Sequence, residues 1–575
     1  MTDITTHTTN EKMVGGEVLI RSLLAQGVDT IFGYPGGAIM PVYDRLYDHL
    51  DEINHVLVRH EQGAAHAAQG YARVSGKVGV CMVTSGPGAT NTVTGIADAM
   101  IDSTPVVVIA GQVGTSMLGS DAFQEVDLVG ITQPIAKWSY QIRRAEDIPM
   151  AVARAFYIAS TGRPGPVVLD FTKNAQVDTI TYKPVTIDFI RSYDPDPAPC
   201  VGAIDEAAAL INQSKKPLVL VGQGVVLGDA TEELKAFLEK GQLPAASTLL
   251  GLSAMSSDYP LNKGMLGMHG NLGPNVKTNE CDVLIAVGMR FDDRVTANLK
   301  TYAPQAKVVH FDIDAAEMGK NVPVDVPVLG NCKWTLKRVT ELLEENDHTE
   351  WIESFQVYAE KEHDVVCQKE LASTPEGYLR MGQVARRVSE ATQNKAVLVT
   401  DVGQNQMLSA RYFQYSQPRS LITSGGLGTM GFGLPAAIGA TFGAPDRTVC
   451  LMTGDGGIQM SVQELGTIME QNAPVKIVIL NNEFLGNVRQ WQAMFFKNRL
   501  SFTPMHNPKY EHLAAAYNIP YCQATNEDEL NKAIQTMLST DGPFLLEACV
   551  EKEGNVMPMV PPGGTVSQMI LSMEE

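Results

Sequence analysis

The chain has 575 residues, which exceeds what one hydrophobic core usually organises and predicts about three domains. Its 44% hydrophobic and 19% charged residues are typical of a globular protein of mixed α/β structure. A net charge of −20 argues against a broad nucleic-acid-binding surface or an anionic-membrane surface.

The cysteines and the apolar runs indicate the compartment. The eight cysteines are scattered without paired metal spacing, which predicts reduced thiols and a cytoplasmic protein. Apolar runs such as CDVLIAVG have the length of a strand and are far too short to span a membrane. Residues 1–12 lack a signal-peptide core and are predicted to form a disordered polar tail.

Short β-branched runs recur along the chain, and each ends in glycine or a polar residue. Helix-like segments separate them, which predicts α/β domains with doubly wound parallel sheets. In such sheets ligands bind beyond the carboxyl ends of the strands. The clearest runs are VGVCMVTSG, PVVVIAG, PLVLVGQG, KVVHFDID, AVLVTDVG, TVCLMTGDG and VKIVILNN.

Two stretches divide the chain into three blocks. DFIRSYDPDPAPC is rich in proline, and HTEWIESFQVYAEKEHDVVCQKELASTPEGYL is charged and mostly helical. The first and third blocks could be distant duplicates, although the sequence alone does not establish this. The predicted parts are a tail at 1–12, a domain at 13–185, a linker at 186–199, a domain at 200–345, a helical linker at 346–379, a domain at 380–555 and a C-terminal tail at 556–575.

The third domain contains the most informative motif, in which a strand ends in Gly454-Asp455-Gly456 and the next strand ends in Asn481-Asn482. Asp455 and Asn482 are 27 positions apart, which suits one βαβ crossover and places both at neighbouring strand ends. A carboxylate and an amide oxygen are suitable Mg²⁺ ligands, and the flanking glycines admit a phosphate. The alternative is a tight Gly-Asp-Gly turn with no ligand.

In the first domain, the stretch LVRHEQGAAHAAQGYARVSG places Glu61 at the start of a helix rich in alanine and glycine. No salt-bridge partner is evident beside it in the sequence. One interpretation is that the carboxylate acts on a bound cofactor, in apolar surroundings that favour sharing a proton. The alternative is that it only complements the helix N-terminus, an interaction of about 0.3–1 kcal/mol.

Together these motifs resemble the thiamine diphosphate enzymes, and over nearly the whole chain the resemblance is closest to the acetohydroxyacid synthase family. The segments that carry it are FGYPGGAIMPVYD, TSGPGATN, GQVGTSMLGSDAFQE, TGRPGPVVLDFTKNAQ and VGMRFDDRVT. GDG…NN and RHEQG alone would indicate only the superfamily. The resemblance implies a pyrimidine-binding first domain, a central FAD-binding domain, a diphosphate-binding third domain and a C-terminal tail near the active site.

The resemblance also implies how thiamine diphosphate is held. Glu61 would hydrogen-bond N1′ of the aminopyrimidine, Gly428 would accept from the 4′-amino group, and Met430 would bend the cofactor; alternatively, Met430 fills a core gap. Asp455, Asn482 and the main-chain oxygen of Phe484 would bind Mg²⁺. The remaining implied contacts to the cofactor are Pro87, Val402, Gly403, Gln404, Asn405, Gly454, Gly456, Gly457 and Gly486.

The implied reaction is decarboxylation of one pyruvate and attack of the hydroxyethyl carbanion on a second 2-oxo acid. Pyruvate as acceptor gives 2-acetolactate, and 2-oxobutyrate gives 2-aceto-2-hydroxybutyrate, the first common step of branched-chain amino acid biosynthesis. Gly37, Gln124 and Lys173 would be catalytic, and Phe123, Arg294 and Trp491 would bind substrate. Alternatives are a surface salt bridge for Arg294 and a core position for Trp491.

The middle domain is expected to bind FAD in a structural role, because its strands end in glycine-rich turns. Each turn alone is weak evidence for a dinucleotide site. The order of the turns along the chain resembles that in the FAD domain of the biosynthetic synthases. RFDDR favours a biosynthetic enzyme, since catabolic relatives lack it. The implied FAD residues are Arg163, Gly222, Gly224, Thr248, Leu249, Gly267, Met268, His269, Gly270, Gly288, Arg290, Asp292, Asp312 and Ile313.

The chain departs from the family pattern at Asn405, often histidine in relatives, at Asn487, usually methionine, and at Gly114, often proline. These departures leave cofactor affinity and inhibitor sensitivity open. In this family Glu61 and the diphosphate motif come from different subunits, which implies a homodimer or a dimer of dimers. A small regulatory subunit is a further possible partner.

Three alternatives to the synthase remain. A pyruvate oxidase of the same fold would pass electrons to its flavin. An oxalyl- or acyl-CoA lyase would need a basic CoA pocket that the sequence does not indicate. A non-catalytic nucleotide-binding scaffold predicts loss of Glu61 or Asp455, and both are present.

Overall fold

The computed structural model describes residues 11–573 and contains three six-stranded sheets that follow one another along the chain. All three sheets are parallel, which confirms the predicted fold class. The seven apolar runs singled out in the sequence each form a strand, so the prediction of these strands is also confirmed. Residues 1–10 of the expected tail lie outside the described residues.

The first sheet is built from residues 30–172. The strands of this part are β1 (Lys12–Val14), β2 (Thr30–Gly33), β3 (Asn54–Leu57), β4 (Gly79–Val83), β5 (Val106–Gln112), β6 (Trp138–Ile142), β7 (Val167–Thr172) and β8 (Thr179–Thr181). Its helices are α1 (Gly15–Ala25), α2 (Met40–Leu46), α3 (Glu61–Ser75), α4 (Pro87–Thr90), α5 (Val93–Ile101), α6 (Leu128–Thr132), α7 (Ile148–Ser160) and α8 (Lys173–Val177). The strand order is β3-β2-β4-β5-β7-β6, and β1 pairs separately with β8. Every residue of β5 is buried, as expected for a parallel strand covered on both faces.

The middle sheet is built from residues 217–329. Its strands are β9 (Pro217–Val221), β10 (Ala245–Ser247), β11 (Asn262–Met265), β12 (Val283–Val287), β13 (Lys307–Asp312) and β14 (Val326–Leu329). Its helices are α9 (Val201–Gln213), α10 (Gln223–Leu227), α11 (Thr231–Gly241), α12 (Leu272–Thr278), α13 (Asp293–Thr296) and α14 (Cys332–Leu342). The strand order is β11-β10-β9-β12-β13-β14.

The third sheet is preceded by the predicted helical linker. The linker contains α15 (Thr349–Glu353), α16 (Gln356–Glu362), a π-helical turn (His363–Cys367) and α17 (Gln368–Glu370). The strands are β15 (Val397–Thr400), β16 (Leu421–Ile422), β17 (Val449–Gly454), β18 (Val475–Asn481), β19 (Tyr521–Ala524) and β20 (Phe544–Cys549). The helices are α18 (Met381–Ala391), α19 (Gln404–Tyr412), α20 (Gly433–Gly443), α21 (Asp455–Gln459), α22 (Leu465–Gln471), α23 (Gly486–Phe495), α24 (Tyr510–Ala516) and α25 (Glu527–Ser539).

The first and third sheets share one topology. The third sheet has the order β16-β15-β17-β18-β20-β19, so in both sheets the strands, counted along the chain, lie in the order 2-1-3-4-6-5. The middle sheet has the order 3-2-1-4-5-6 instead. That second order is the one found in dinucleotide-binding folds.

Contacts divide the chain into two compact units. Unit 1 comprises residues 1–194, 426–445 and 461–473, so it contains the first sheet together with α20 and α22. Unit 2 comprises residues 195–425, 446–460 and 474–575, so it contains the middle and third sheets. Among residues 11–573, no helix has both the length and the apolar character that crossing a membrane requires.

The alanine- and glycine-rich sequence of α3 has a packing role within unit 1. A Cβ atom on Gly70 would lie 1.9 Å from the carbonyl oxygen of Ala436 in α20. A Cβ atom on Gly439 of α20 would lie 1.8 Å from the carbonyl oxygen of Ala67. The two helices therefore touch backbone to backbone, which only small residues permit. This contact explains the small residues that follow Glu61.

Candidate active site

Five predicted site residues of unit 1 follow the carboxyl ends of strands in the first sheet. Gly37 follows β2, Glu61 follows β3, Pro87 follows β4, Gln124 lies in the loop after β5, and Lys173 follows β7. In a parallel sheet these ends share one edge, where ligands bind. The side chain of Gln176 in α8 also donates to the carbonyl of Ala38 at 2.8 Å, which ties the loop of Gly37 to the helix that Lys173 begins.

Glu61 is the first residue of α3 and is half-buried. Its oxygen Oε2 accepts a hydrogen bond from Nδ2 of Asn91 at 2.8 Å. The helix is capped by His60, whose ring Nδ1 accepts from the main-chain N–H of Gln62 at 3.1 Å. The carboxylate is thus oriented by an amide rather than neutralised by a cation. Asn91, which no motif of the sequence indicates, holds Oε2, and within the described residues the other oxygen accepts no hydrogen bond.

Gln124 has a strained backbone beside the turn of Pro87. Its φ is +59°, in the left-handed region that glutamine seldom adopts. Gly86 has φ of +58°, and a Cβ atom there would lie 2.9 Å from the carbonyl oxygen of Gln124. The glycine therefore lets the two loops meet. The neighbouring Phe123 is 87% exposed, so its ring is available for contact with a substrate or another chain.

The segment that carries Gly428 and Met430 is held by two carboxylates from the region of α5. The hydroxyl of Thr429 donates to Oδ2 of Asp98 at 2.5 Å. The main-chain N–H of Gly426 donates to Oδ1 of Asp102 at 2.8 Å. Gly428 has φ of +69°, which suits glycine. These contacts fix the turn on either side of Gly428 and just before Met430, whose side chain is half-buried.

Arg163 is placed apart from the other predicted residues of unit 1. It precedes β7, and its Nε donates to Oγ of Ser103, which precedes β5, at 2.9 Å. Both residues therefore lie at the amino ends of strands, at the edge opposite Glu61.

In unit 2 the predicted metal ligands lie at neighbouring strand ends. Strands β17 and β18 pair in parallel, with Gly454 opposite Leu480. Asp455 follows β17 and Asn482 follows β18, and both side chains are almost fully buried. Burial raises the pKa of Asp455 to about 6, against hydrogen bonds from Asn507 and the N–H of Gly456 that lower it. A divalent cation would favour the ionised carboxylate at this position.

Glycines beside this pair let neighbouring side chains pack directly against the backbone. A Cβ atom on Gly486 would lie 2.2 Å from Oε1 of Gln404, and one on Gly457 would lie 2.5 Å from Oδ1 of Asp401. Nδ2 of Asn482 is 3.5 Å from Oε1 of Gln404. Asn482, one of the predicted metal ligands, the start of α19 and the start of α23 therefore lie in contact with one another.

The two asparagines that depart from the family pattern have unsatisfied oxygens. Oδ1 of Asn405 and Oδ1 of Asn487 are buried and have no hydrogen-bond partner within the described part of the chain. Nδ2 of Asn405 donates to the carbonyl of Val402 at 3.1 Å, and Gly454 lies against the same amide. Unsatisfied buried polar atoms are rare in folded proteins unless a ligand or water meets them. An amide oxygen accepts hydrogen bonds and can bind a cation, so these two atoms suit a metal ion or a hydrogen-bond donor, whereas diphosphate oxygens would be met by N–H groups.

Phe484 lies in the loop between these ligands. Its N–H donates to Oδ1 of Asn482 at 3.3 Å. The residue forms an antiparallel bridge with Pro504, and the two hydrogen bonds of this bridge join Leu485 to Thr503 and Met505 to Glu483. The pairing therefore does not use the main-chain carbonyl of Phe484.

The first turn of the middle sheet has the close backbone approach of a dinucleotide site. Gly222 and Gly224 follow β9, and Gly288 follows β12. A Cβ atom on Gly222 would lie 2.1 Å from the carbonyl oxygen of Gly288, and one on Gly224 would lie 2.6 Å from its Cα. Gly288 itself has φ of +56°. All three positions require glycine for the two strand ends to touch.

The remaining predicted FAD residues of unit 2 also lie at or just beyond the carboxyl ends of strands in this sheet. Asp292 caps α13 by accepting from the N–H groups of Arg294 and Val295, and burial raises its pKa. Thr248 and Leu249 follow β10, and Gly267, Met268, His269 and Gly270 follow β11. Arg290 and Asp292 follow β12, whereas Asp312 is the last residue of β13 and Ile313 follows it.

The predicted acceptor-side residues differ in their surroundings. The side chain of Arg294 is 65% exposed, and its nearest carboxylate is Asp293 at 3.6 Å. Its Nη1 also lies 3.5 Å from Sδ of Met268. Trp491 is half-buried on α23, and its ring centroid lies 5.2 Å from that of Phe495. Neither residue is a fully buried core residue.

The chain matches three domain families in the same order as its sheets. The thiamine pyrophosphate enzyme N-terminal TPP binding domain matches residues 13–131, the central domain matches residues 204–339, and the C-terminal TPP binding domain matches residues 401–548. Full-length relatives decide the family. The acetolactate synthase isozyme 2 large subunit of Escherichia coli (strain K12) is 44% identical over 97% of this chain and 99% of its own length.

The chain belongs to the acetolactate synthase family of thiamine pyrophosphate enzymes. The probable acetolactate synthase large subunit of Methanocaldococcus jannaschii is 43% identical over 97% of this chain and 95% of its own. The acetolactate synthase large subunit of Lactococcus lactis subsp. lactis is 43% identical over 97% and 96%. The family resemblance drawn from the sequence is therefore confirmed, and its thiamine diphosphate-binding domains are present.

Proposed function

We propose that the chain is the catalytic subunit of an acetohydroxyacid synthase. It would decarboxylate pyruvate and join the remaining two-carbon unit to pyruvate or 2-oxobutyrate, giving 2-acetolactate or 2-aceto-2-hydroxybutyrate. The observation that carries this proposal is the placement of Asp455 and Asn482 at neighbouring strand ends in a chain of this family. This reaction opens branched-chain amino acid biosynthesis.

Mg²⁺ is the metal that the third sheet fits best. Asp455 and Asn482 would supply one oxygen each, and the main-chain carbonyl of Phe484 would supply a third. Oxygen ligands of this kind suit a hard divalent cation, whose remaining coordination positions would be taken by water and phosphate oxygens. Gln404, Asn405 and the glycines at 454, 456, 457 and 486 would surround the diphosphate.

Thiamine diphosphate, when bound, supplies the reactive carbon and the electron sink for decarboxylation of a 2-oxo acid. Glu61 would hold a proton shared with N1′ of the aminopyrimidine, and Asn91 would keep the carboxylate oriented. The turn of Gly428 and Met430 would fix the pyrimidine and the bend of the cofactor. Asp98 and Asp102 hold this turn and make it rigid.

FAD is the dinucleotide that we propose for the middle sheet, in a structural role. Its strand order and the contact of Gly222 and Gly224 with Gly288 support a dinucleotide-binding fold. Asp312, at the carboxyl end of β13, is one of the polar groups that would contact the dinucleotide.

For the second substrate we propose Arg294 as the carboxylate-binding group. Its exposed guanidinium has room to form a bidentate contact with a 2-oxo acid. Trp491 would provide an apolar face for the extra methyl group of 2-oxobutyrate. Gly37, Phe123, Gln124 and Lys173 would line the remaining side of the pocket.

We also propose a homodimer, or a dimer of dimers, with a small regulatory subunit as a further partner. The relatives are named large subunits, which supports a partner of that kind.

The eight cysteines, all within the described residues, form no disulfide. This finding supports a reducing, cytoplasmic location.

The test is a product assay. The purified protein is given Mg²⁺, thiamine diphosphate and FAD, then pyruvate with and without 2-oxobutyrate, and the products are identified by mass. We expect 2-acetolactate alone in the first case and mainly 2-aceto-2-hydroxybutyrate in the second. Acetate, acetaldehyde or anaerobic bleaching of the flavin at the rate of pyruvate consumption would contradict the proposal.

A further inference from the structure

The segment Thr503–Asn507 runs beside the proposed metal loop as a short antiparallel partner. The N–H of Leu485 donates to the carbonyl of Thr503 at 2.9 Å, and the N–H of Met505 donates to the carbonyl of Glu483 at 2.8 Å. The residue between them, Phe484, faces Pro504 in a pair that exchanges no hydrogen bonds of its own. The segment thus fixes the loop's backbone and leaves the carbonyl of Phe484 unused.

At its end the segment places Asn507 against Asp455. Nδ2 of Asn507 donates to Oδ2 of Asp455 at 2.7 Å and to Oδ1 of Asn481 at 3.0 Å. Its oxygen Oδ1 accepts from Nε2 of Gln459 at 3.0 Å. Both amide protons and the amide oxygen are therefore engaged, so this side chain has one defined orientation.

The contacts of Asn507 continue into the sheet. Nδ2 of Asn481, the last residue of β18, donates to Oε1 of Glu547 in β20 at 2.7 Å. The hydroxyl of Tyr521 in β19 donates to Oε2 of the same carboxylate at 2.5 Å. A chain of hydrogen bonds thus runs from Glu547 through Asn481 and Asn507 to Asp455. It joins the proposed metal ligand to two strands that carry none of the predicted site residues.

We infer that Asn507 is a positioning residue that orients the carboxylate of Asp455 for a divalent cation. This inference rests on the proposed function, because it assumes that Asp455 binds the metal. Asn507 donates to Oδ2 of Asp455 and the N–H of Gly456 donates to Oδ1 at 3.1 Å, so the two bonds fix the rotation of the carboxylate. Each oxygen keeps a lone pair that can face the cation. Partners of this kind fix the geometry of a ligand, and their removal typically weakens metal binding by about 10–100-fold.

The test measures Mn²⁺ binding to the full-length protein, with FAD and saturating thiamine diphosphate, by the EPR signal of the free ion. The variants are Asn507→Leu, Asn507→Ala and Asp455→Ala. Asn526→Ala is the matched control, because Asn526 caps α25 by accepting from the N–H of Glu529 at 3.1 Å and is not bonded to the metal loop in the described structure. Circular dichroism and flavin content report folding.

We expect both Asn507 variants to bind Mn²⁺ about 10–100-fold more weakly while retaining their fold and flavin. Asn526→Ala is expected to lose stability but to keep wild-type affinity. Affinity within twofold of wild type for the Asn507 variants, with binding abolished in Asp455→Ala, overturns the role of Asn507 and leaves the metal site intact. Unchanged binding in Asp455→Ala overturns the metal site itself.

An equal loss of Mn²⁺ affinity in the Asn507 variants and in Asn526→Ala would also overturn the inference. It would show that affinity follows general stability instead of the orientation of Asp455. The two substitutions at Asn507 keep the test decisive if one does not fold, since Leu preserves side-chain volume and Ala relieves any clash.

Discussion

Nη2 of Arg411 lies 2.5 Å from Oε1 of Glu362, and the two side chains are only 2% and 3% exposed. Nη1 of Arg411 also donates to the carbonyls of His269 and Gly270, at 2.8 Å each. Arg411 belongs to α19, the helix that Gln404 begins, whereas the two carbonyls lie in the turn proposed to bind FAD. Arg411 thus connects α19 both to the helical linker, through Glu362, and to the turn that we propose binds FAD.

Replacing one partner of this buried pair is expected to destabilise unit 2 strongly. Arg411→Met leaves the carboxylate of Glu362 buried without its cation, which should cost about 3–5 kcal/mol of unfolding free energy. Guanidinium unfolding followed by circular dichroism measures the change. The double variant Arg411→Met/Glu362→Leu should recover part of the loss. Lys307→Met, which breaks a solvent-exposed ion pair with Asp325, should change the unfolding free energy far less.

Acid is expected to destabilise unit 1 through His66. This side chain on α3 is fully buried between Gln62, Gln69 and the ring of Phe432. Burial, together with the charge of Arg73, lowers its pKa to about 3. The folded state therefore prefers the neutral ring. The resulting stability is fully present above the unfolded pKa of about 6.5 and is lost as the pH falls towards 3.

Between pH 7 and pH 4.5 the wild type should lose about 2–3 kcal/mol through this residue, because each pKa unit corresponds to about 1.4 kcal/mol. His66→Gln should show a correspondingly smaller loss between the two pH values. Urea unfolding at each pH provides the comparison. The control is His512→Gln, at an exposed position of α24, which should lose as much unfolding free energy between the two pH values as the wild type. An equal loss in all three proteins would contradict the assignment to His66.

Flavin binding is expected to depend on the glycine at position 224. Gly224→Ala places a Cβ atom 2.6 Å from Cα of Gly288, so the two strand ends of the middle sheet must separate. The purified variant should contain much less FAD, as read from absorbance near 450 nm. Gly202→Ala is the control, since the nearest atom to its new Cβ is Sγ of Cys200 at 3.8 Å. Full flavin content in Gly224→Ala would argue against FAD at this turn.

The orientation of Met430 should depend on Asp98. Asp98→Ala removes the acceptor of the hydroxyl of Thr429, so the turn loses this carboxylate contact. We expect thiamine diphosphate to bind about tenfold more weakly, a loss of about 1.4 kcal/mol that matches a hydrogen bond to a charged group. Isothermal titration with the cofactor measures this affinity. The Asp98→Asn variant, which keeps an acceptor oxygen, should retain more of it.

Much of the fold followed from local pattern. The apolar runs that predict strands are buried on both faces of parallel sheets, and such runs are visible in a single sequence. The adjacency of Asp455 and Asn482 also followed, because one crossover spans 27 residues. The edge strands β6 and β16 were not singled out, since WSYQI is mostly half-buried and LI has only two residues.

The supporting contacts of the site could not be predicted in the same way. Asn507 meets Asp455 across 52 positions, and Asn91 meets Glu61 across 30, with no spacing rule that relates them. The small residues of α3 were interpreted as part of a cofactor setting, whereas they contact α20, which is 360 or more positions away in the chain. Such contacts depend on tertiary packing, which a single sequence does not encode in a local pattern.

The central proposal is that Glu61 of one subunit acts on thiamine diphosphate that Asp455 and Asn482 of another subunit hold. The direct measurement is the rate of deuterium exchange at C2 of the bound cofactor, with cofactor affinity determined in parallel by titration. Glu61→Gln should slow the exchange about 100-fold or more while cofactor and Mg²⁺ affinity stay close to wild type, and Asp455→Ala should abolish binding. Exchange at the wild-type rate in Glu61→Gln would contradict the account.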